Sequence, residues 1–370
     1  MNANWYTIDN INEIDSPSIV LYKERMLFNI QKILEMVDGD ASKVMPHIKT
    51  NKMPKVIEQM ISFGIKKFKA STIAEAEIAA KEGAERVLIA HQLVGPKIER
   101  FGKLVASFPK TNFSAIVDNI DSAESLQNEA KRRAFEFSVF IDINSGMNRS
   151  GIQIGREVNE LITRILELSH LNFMGLHAYD GHLRHSDIKT RKNMIEKEFS
   201  NVVDLYNSLK VNDSSLELVA GGTPSFTSHL MEDGRICSPG TCVLWDWGYN
   251  VKLKEQEFKY AALLITRVIS KPTKGIITID LGHKSVASEN PIDQRIKFLN
   301  LQDYELISQS EEHGILKVKK WNDIKMGDVF YGVPYHICPS INLHDEVSVI
   351  ENECKVDTWE IAARRRKISV

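Results

Sequence analysis

The chain has 370 residues, 43% apolar and 26% charged, with a formal net charge of −2. That is enough for one large domain and a smaller one, and so balanced a charge excludes nucleic acid and anionic membranes as expected partners. No run is apolar and long enough to span a bilayer. The four cysteines (Cys237, Cys242, Cys338, Cys354) form no Cys-x-x-Cys pair. With no basic region and apolar run at the N-terminus, a reducing, cytoplasmic location is expected and a disulfide framework is not.

The first two thirds alternate between β-rich runs and helical stretches. The β-rich runs are Lys43–Thr50, Lys66–Ser71, Arg86–Gln92, Phe113–Asn119, Phe135–Asn144, Leu171–Asp180, Leu216–Thr223 and Arg235–Asp246. Thr72–Gly83 is the clearest helix between them, rich in alanine and glutamate with a threonine start and a glycine stop. Arg156–Ser169 and Thr190–Leu209 are of the same kind. Eight such runs predict an α/β fold, an eight-stranded TIM-type β/α barrel. A doubly wound open sheet is the alternative, which periodicity alone does not separate. After about residue 250 the helical pattern fades. Phe258–Ser270, Gly275–Asp280, Gly314–Val318, Asp328–Gly332, Glu346–Glu351 and Thr358–Ala363 read as strands. The expected division is a barrel over 15–250 and a C-terminal β domain over 251–370, joined by residues 1–14.

In a barrel, function belongs at the C-terminal ends of the strands. Lys49 lies there in Met45-Pro-His-Ile-Lys-Thr-Asn-Lys52, and a lysine whose pKa is lowered by burial forms Schiff bases. His91, Asp118 and Asn119 end later strands, and Arg149 lies in the glycine-flanked loop after the fifth. His177, Tyr179, Asp180, His182 and His185 cluster at the sixth, a grouping suited to proton transfer near neutral pH. Ala220-Gly-Gly-Thr-Pro-Ser225 and Ser238-Pro-Gly-Thr241 follow the seventh and eighth, the usual place for a phosphate. Beyond the barrel, Tyr335-His336-Ile-Cys338-Pro puts imidazole and thiol on one face of a strand-like segment. Both are favoured zinc ligands, and two ligands leave positions open for water or substrate.

These pieces together resemble the D-threonine aldolase and D-serine dehydratase group, pyridoxal phosphate enzymes of the alanine racemase fold type. The matching segments are Pro46-His-Ile-Lys-Thr50, Ser145-Gly-Met-Asn-Arg-Ser-Gly151, Gly175-Leu-His-Ala-Tyr-Asp-Gly-His182, Gly221-Gly-Thr-Pro-Ser225, Glu312-His-Gly314 and Pro334-Tyr-His-Ile-Cys-Pro339. The resemblance implies a homodimer with Lys49 as the Schiff-base lysine. It implies that Arg149 contacts the cofactor ring or its phenolate and that Tyr179 contacts the cofactor. Gly222, Thr223, Gly240 and Thr241 would hold the phosphate. His336 and Cys338 would bind a divalent metal (zinc, manganese or magnesium), with His182 or His185 as base. The chain departs from the racemases in two places. Ser238 stands where they carry an arginine, and Leu281-Gly-His-Lys284 lacks their tyrosine base. Cys242 also replaces a tyrosine common in the family.

The expected activity is retro-aldol cleavage of a D-β-hydroxy-α-amino acid to glycine and an aldehyde. The alternative on the same geometry is β-elimination to a keto acid and ammonia. A non-catalytic pyridoxal phosphate-binding protein and a zinc hydrolase built on a barrel are alternatives of other classes.

Overall fold

The computed structural model describes residues 4–232 and 234–370. The chain divides into two compact units. One holds residues 33–49, 54–240 and 365–370; the other holds residues up to Lys32, 50–53 and 241–364.

Strand β1 (Ser18–Tyr22) belongs to the second unit. The first unit is built on a seven-stranded parallel sheet, in the order β2 (Lys67–Ala70), β3 (Arg86–Ile89), β4 (Asn112–Val117), β5 (Phe137–Ile143), β6 (Leu171–Ala178), β7 (Glu217–Ala220) and β8 (Arg235–Cys237). Spatial order equals chain order because each strand is followed by a helix that carries the chain back. The expected helices are found at Ile73–Lys81, Arg156–Glu167 and Ile188–Lys210. The first shows why its sequence starts a helix there. Thr72 Oγ1 accepts from the Glu75 N–H at 3.1 Å, and the Glu75 carboxylate accepts from the Ser71 N–H at 2.6 Å.

Eight strands were expected, and the sheet has seven. Lys43–Thr50 is not a strand. Pro46 offers no N–H to a ladder, so the segment makes only single bridges, Val44 with Cys237 and His47 with Lys69. It still bonds both edges of the sheet: Met45 N donates to Cys237 O at 2.8 Å, and Ile48 N to Lys69 O at 2.9 Å. The eighth run is also shorter than its sequence suggested. Pro239 follows soon after Cys237, and Thr241–Val243 is a 3-10 turn.

Register fixes what the inner face carries. Asp142 pairs laterally with His177, His177 with Val219, and Val219 with Ile236. Leu88, Ile116, Phe140, Val219 and Ile236 pack with Met45 as one apolar cluster. Asp142 lies two residues beyond Phe140, so it shares that face one layer nearer the strand ends. A polar layer thus rests on an apolar floor.

The second unit is a largely antiparallel sheet. It comprises β1, β9 (Ala262–Thr273), β10 (Ile276–Ile279), β11 (Ile296–Phe298), β12 (Tyr304–Gln309), β13 (Gly314–Val318), β14 (Val329–Pro334), β15 (Glu346–Glu351) and β16 (Cys354–Glu360). Strand β1 is inserted between β9 and β15, antiparallel to the first and parallel to the second. Val20, Leu263, Ile265, Val333 and Ile350 form its core. Strands β1, β11 and β12 were not read from the sequence, where each is short or flanked by charge.

Candidate active site

A cavity of about 300 Å³ opens at the C-terminal ends of the parallel strands, lined by Lys49, Lys69, Arg149, His177 and Tyr179 among others. Three basic groups surround one ring. The Lys49 amine lies 5.7 Å from the centre of Tyr179, the Lys69 amine 5.6 Å and the Arg149 guanidinium carbon 4.8 Å. Lys49 and Arg149 are the residues expected there. Lys69 is not.

Behind the basic groups lies a hydrogen-bonded polar layer. His177 Nδ1 donates to Asp142 Oδ1 at 2.7 Å. Asp142 also accepts from Gln92 Nε2 at 2.9 Å and from the Ser150 hydroxyl at 3.1 Å. Burial works against the Asp142 charge, but these donors hold its pKa below the usual carboxylate range. Burial pushes the His177 pKa down despite Asp142, leaving its Nε2 as a lone pair 3.5 Å from the Lys69 amine. His47 is buried too and held neutral, its Nδ1 donating to Lys69 O at 3.0 Å and its Nε2 facing the Ser71 hydroxyl at 3.1 Å. Burial pushes the Lys69 amine down to about 7, with the Lys49 charge adding to the effect and Asp180 and Asp142 opposing it. A lysine at an inward position of a parallel strand covered on both faces was the available sequence signal. In Lys66-Lys-Phe-Lys69 it reads instead as a charged strand end.

The two turns expected to hold a phosphate meet. Gly240 N donates to Thr223 Oγ1 at 3.1 Å. A Cβ on Gly240 would lie 2.6 Å from the His47 carbonyl oxygen, and one on Gly222 would lie 2.8 Å from the Tyr179 ring. Only glycine allows either approach. Asp180 fixes the first turn: fully buried, it accepts from the Ser225 hydroxyl at 2.6 Å and from His229 Nε2 at 2.8 Å. Arg235 donates to the other nitrogen of His229 at 3.0 Å, which sets that tautomer. The Ser238 hydroxyl is buried with no hydrogen-bond partner. A basic cavity, a glycine cradle and an orphaned hydroxyl suit an anionic aromatic ligand of the size of pyridoxal phosphate.

Not every expected residue is in this cavity. His182 is half-buried against Glu198, Nε2 to Oε2 3.2 Å, and His185 is exposed with its Nδ1 accepting from the Asp187 N–H at 3.1 Å. Neither lines the cavity, whereas His91 and His177 do. Closeness in sequence to Tyr179 does not bring either side chain into the cavity lining.

The second unit holds His336 and Cys338. They do not share a strand face as expected: β14 ends at Pro334, and His336 caps the short helix Ile337–Ile341. The two side chains are nevertheless hydrogen-bonding neighbours. His336 Nδ1 meets Glu289 Oε1 at 2.8 Å, the orientation that leaves Nε2 for a metal. Burial opposes the imidazolium, but Cys338, Asp246 and Glu289 raise its pKa to about 9. Burial likewise opposes the Cys338 thiolate, and His336 lowers its pKa all the same. The Thr50 and Thr241 hydroxyls lie 3.1 Å and 3.4 Å from the sulfur, so the Thr241 side chain is engaged with the thiol. Asp246, pushed by burial to about 6, accepts from the Ile337 N–H at 3.1 Å and pins the segment. Among the described residues no three His, Cys, Asp or Glu side chains converge as a metal site. The imidazole–thiol pair with a carboxylate behind it fits a metal that takes its remaining ligands from water or substrate. Asp142, Gln92, Asp246 and Glu289, like Lys69, carry no motif and were not read from the sequence.

Comparison with known proteins identifies the family. The alanine racemase N-terminal domain family matches residues 22–245, and the putative serine dehydratase domain family matches 261–350. A D-threonine aldolase of Arthrobacter sp. is 23% identical, over 96% of this chain and 94% of its own. A 3-hydroxy-D-aspartate aldolase of Paracoccus denitrificans is 26% identical, over 95% and 93%. Among solved structures, a D-threonine aldolase from Filomicrobium marinum superimposes with a TM-score of 0.87 at 23% identity, covering 98% of this chain and 99% of that one. A D-threo-3-hydroxyaspartate dehydratase from Delftia sp. does so at 0.79 and 20%, covering 94% and 97%. A variant of D-threo-3-hydroxyaspartate dehydratase has also been solved in a metal-free form. At these identities the structural likeness establishes the fold. The chain belongs to the alanine racemase N-terminal domain family, in the D-threonine aldolase and D-serine dehydratase group.

Proposed function

We propose that this protein is a pyridoxal phosphate- and divalent metal-dependent lyase that cleaves D-β-hydroxy-α-amino acids to glycine and an aldehyde. The observation that carries the reading is the basic cavity around Tyr179, with Lys49 on its wall and a glycine cradle at its end. Lys49 would hold the cofactor as a Schiff base, and Gly222, Thr223 and Gly240 would receive its phosphate. Bound there, pyridoxal phosphate supplies an electron sink for the pair released at Cα. Tyr179 would contact the cofactor, and Arg149, whose guanidinium carbon lies 4.8 Å from the Tyr179 ring centre, would offer a hydrogen-bond donor to its phenolate. His336 and Cys338 would hold the metal, which would supply a Lewis acid for the β-oxygen.

Cleavage requires the β-hydroxyl to lose its proton while the Cα–Cβ bond breaks. Its electrons stay at Cα, and a proton later returns there to give glycine. His91 and His177, whose Nδ1 donates to Asp142 and whose Nε2 keeps its lone pair, are the cavity imidazoles suited to taking the hydroxyl proton, since both nitrogens of His47 face other partners. The aldolase names of two full-length relatives support cleavage. That neither His182 nor His185 lines the cavity favours a second reading, β-elimination with Lys49 as the α-proton base; the Delftia sp. relative is named a dehydratase. Product analysis separates them after the metal-supplemented protein meets D-threonine and, separately, L-threonine. Glycine and acetaldehyde from the D-isomer alone are expected. 2-Oxobutanoate and ammonia would make the protein a dehydratase, and products from the L-isomer alone would overturn the stereochemical assignment.

A further inference from the structure

Lys69 lines the cavity, and neither cleavage nor elimination gives it a role. It is 2% exposed, and among the described residues no carboxylate forms an ion pair with it. Its polar neighbour is His177 Nε2 at 3.5 Å, a long contact with a neutral ring. A buried amine without an anion is costly to keep charged, so such residues are rare outside functional sites. The groups around it explain the imbalance. His47 and Lys49 face it from the 44–49 segment, Arg149 from the loop after β5, and His177 and Tyr179 from β6 and its end. The two acids in range are turned to other partners: Asp142 to His177, Gln92 and Ser150, and Asp180 to Ser225 and His229. Three basic groups therefore share an open cavity whose nearest negative charges are already bonded elsewhere.

We propose that Lys69 is a proton-linked anion receptor, which takes up a proton as an oxyanion of the bound molecule enters the cavity and then pairs with it. The inference rests on the reading that the cavity takes a pyridoxal cofactor. The amine is held near neutrality by burial and by Lys49, so a small change in local charge moves its proton occupancy at physiological pH. An entering oxyanion raises proton affinity, and linkage requires that binding then consumes protons. The oxyanion comes either from the cofactor or from the substrate carboxylate, and two titrations distinguish them.

In the first, the cofactor-free full chain is titrated calorimetrically with pyridoxamine 5′-phosphate, which carries the cofactor's anionic oxygens but cannot condense with Lys49. Two buffers of different ionisation enthalpy, slightly above neutral pH, give the number of protons taken up. The second titrates the pyridoxal phosphate-loaded protein with D-alanine, which has no β-hydroxyl to cleave. Each is run on wild type, Lys69→Arg and Lys69→Met. Lys69→Arg keeps the charge but cannot titrate, and Lys69→Met removes an unpaired amine without shortening the side chain. Wild type is expected to take up about half a proton more than Lys69→Arg. Lys69→Met is expected to bind about tenfold more weakly than either. The effect in the first titration assigns a cofactor oxygen, and in the second alone the substrate carboxylate. Equal proton counts and affinities in both overturn the proposal while leaving the cofactor reading intact. No binding of pyridoxamine 5′-phosphate to wild type overturns both.

Discussion

The two units collect opposite kinds of polar group. The parallel sheet gathers Lys49, Lys69 and Arg149 around Tyr179 and keeps its acids, Asp142 and Asp180, behind neutral hydrogen-bond partners. The antiparallel unit gathers a thiol and an imidazole, with Glu289 bonded to His336 and Asp246 pinning the backbone between them. The first arrangement is short of an anion and the second is short of a cation. The first unit carries Lys49 on the segment that bonds both edges of its sheet, where charge meets the cavity. The β unit builds its pair at a helix cap, where the backbone bends enough to turn His336 and Cys338 together. A cofactor rich in negative charge would complement the first, and the divalent metal proposed above would complement the second.

The contrast breaks most sharply at Lys49. Lys49→Ala is expected to lower turnover by about three orders of magnitude, roughly 4 kcal/mol of barrier. Pyridoxamine 5′-phosphate should still bind, because the cradle and Arg149 remain. A variant with near-normal product formation would remove Lys49 from the chemistry.

Removing the cation from the other side comes next. After exhaustive chelation, or in Cys338→Ala, turnover is expected to fall by about a hundredfold or more while the visible imine absorbance stays. Full turnover after chelation would end the metal role. Loss of the absorbance as well would mean that the two sites are not chemically separate.

A smaller effect is expected in stability. The Lys69 pKa lies near 7 in the folded chain against an ordinary 10.5, so the unfolded chain binds the extra proton between these values. Stability of the cofactor-free protein should therefore rise as pH climbs through that window, by on the order of a few kcal/mol. Urea unfolding across it checks the slope, and Lys69→Met should flatten the curve. Finally, Gly240→Ala would force a Cβ to 2.6 Å from the His47 carbonyl oxygen. A cost of about 1–3 kcal/mol is expected in stability, with weakened cofactor binding. Unchanged melting and affinity would show that the turn can move aside.

Much of this was legible in the sequence because strand and helix alternate with period signals that survive burial. Ile73–Lys81 announces itself through Thr72, Glu75 and Gly83. Lys49, Arg149, Tyr179 and the two glycine turns were found by their position after apolar runs. Where sequence reasoning failed, local pattern was a poor guide to direction. Pro46 broke an expected strand into single bridges. His182 and His185 follow Tyr179 closely, yet neither lines the cavity. His336 and Cys338 come together through a helix cap, not the strand period that first suggested them. Lys69 was hidden because a lysine beside two others reads as solvated, and only register shows it pointing inward beside Asp142 and His177.

The most direct test of the central claim is the site of covalent attachment. The protein is loaded with pyridoxal phosphate, reduced with borohydride, digested and mapped by peptide mass. The phosphopyridoxyl group is expected on Lys49, with Lys69 unmodified. A label on Lys69, or on a surface lysine in place of both, would contradict it.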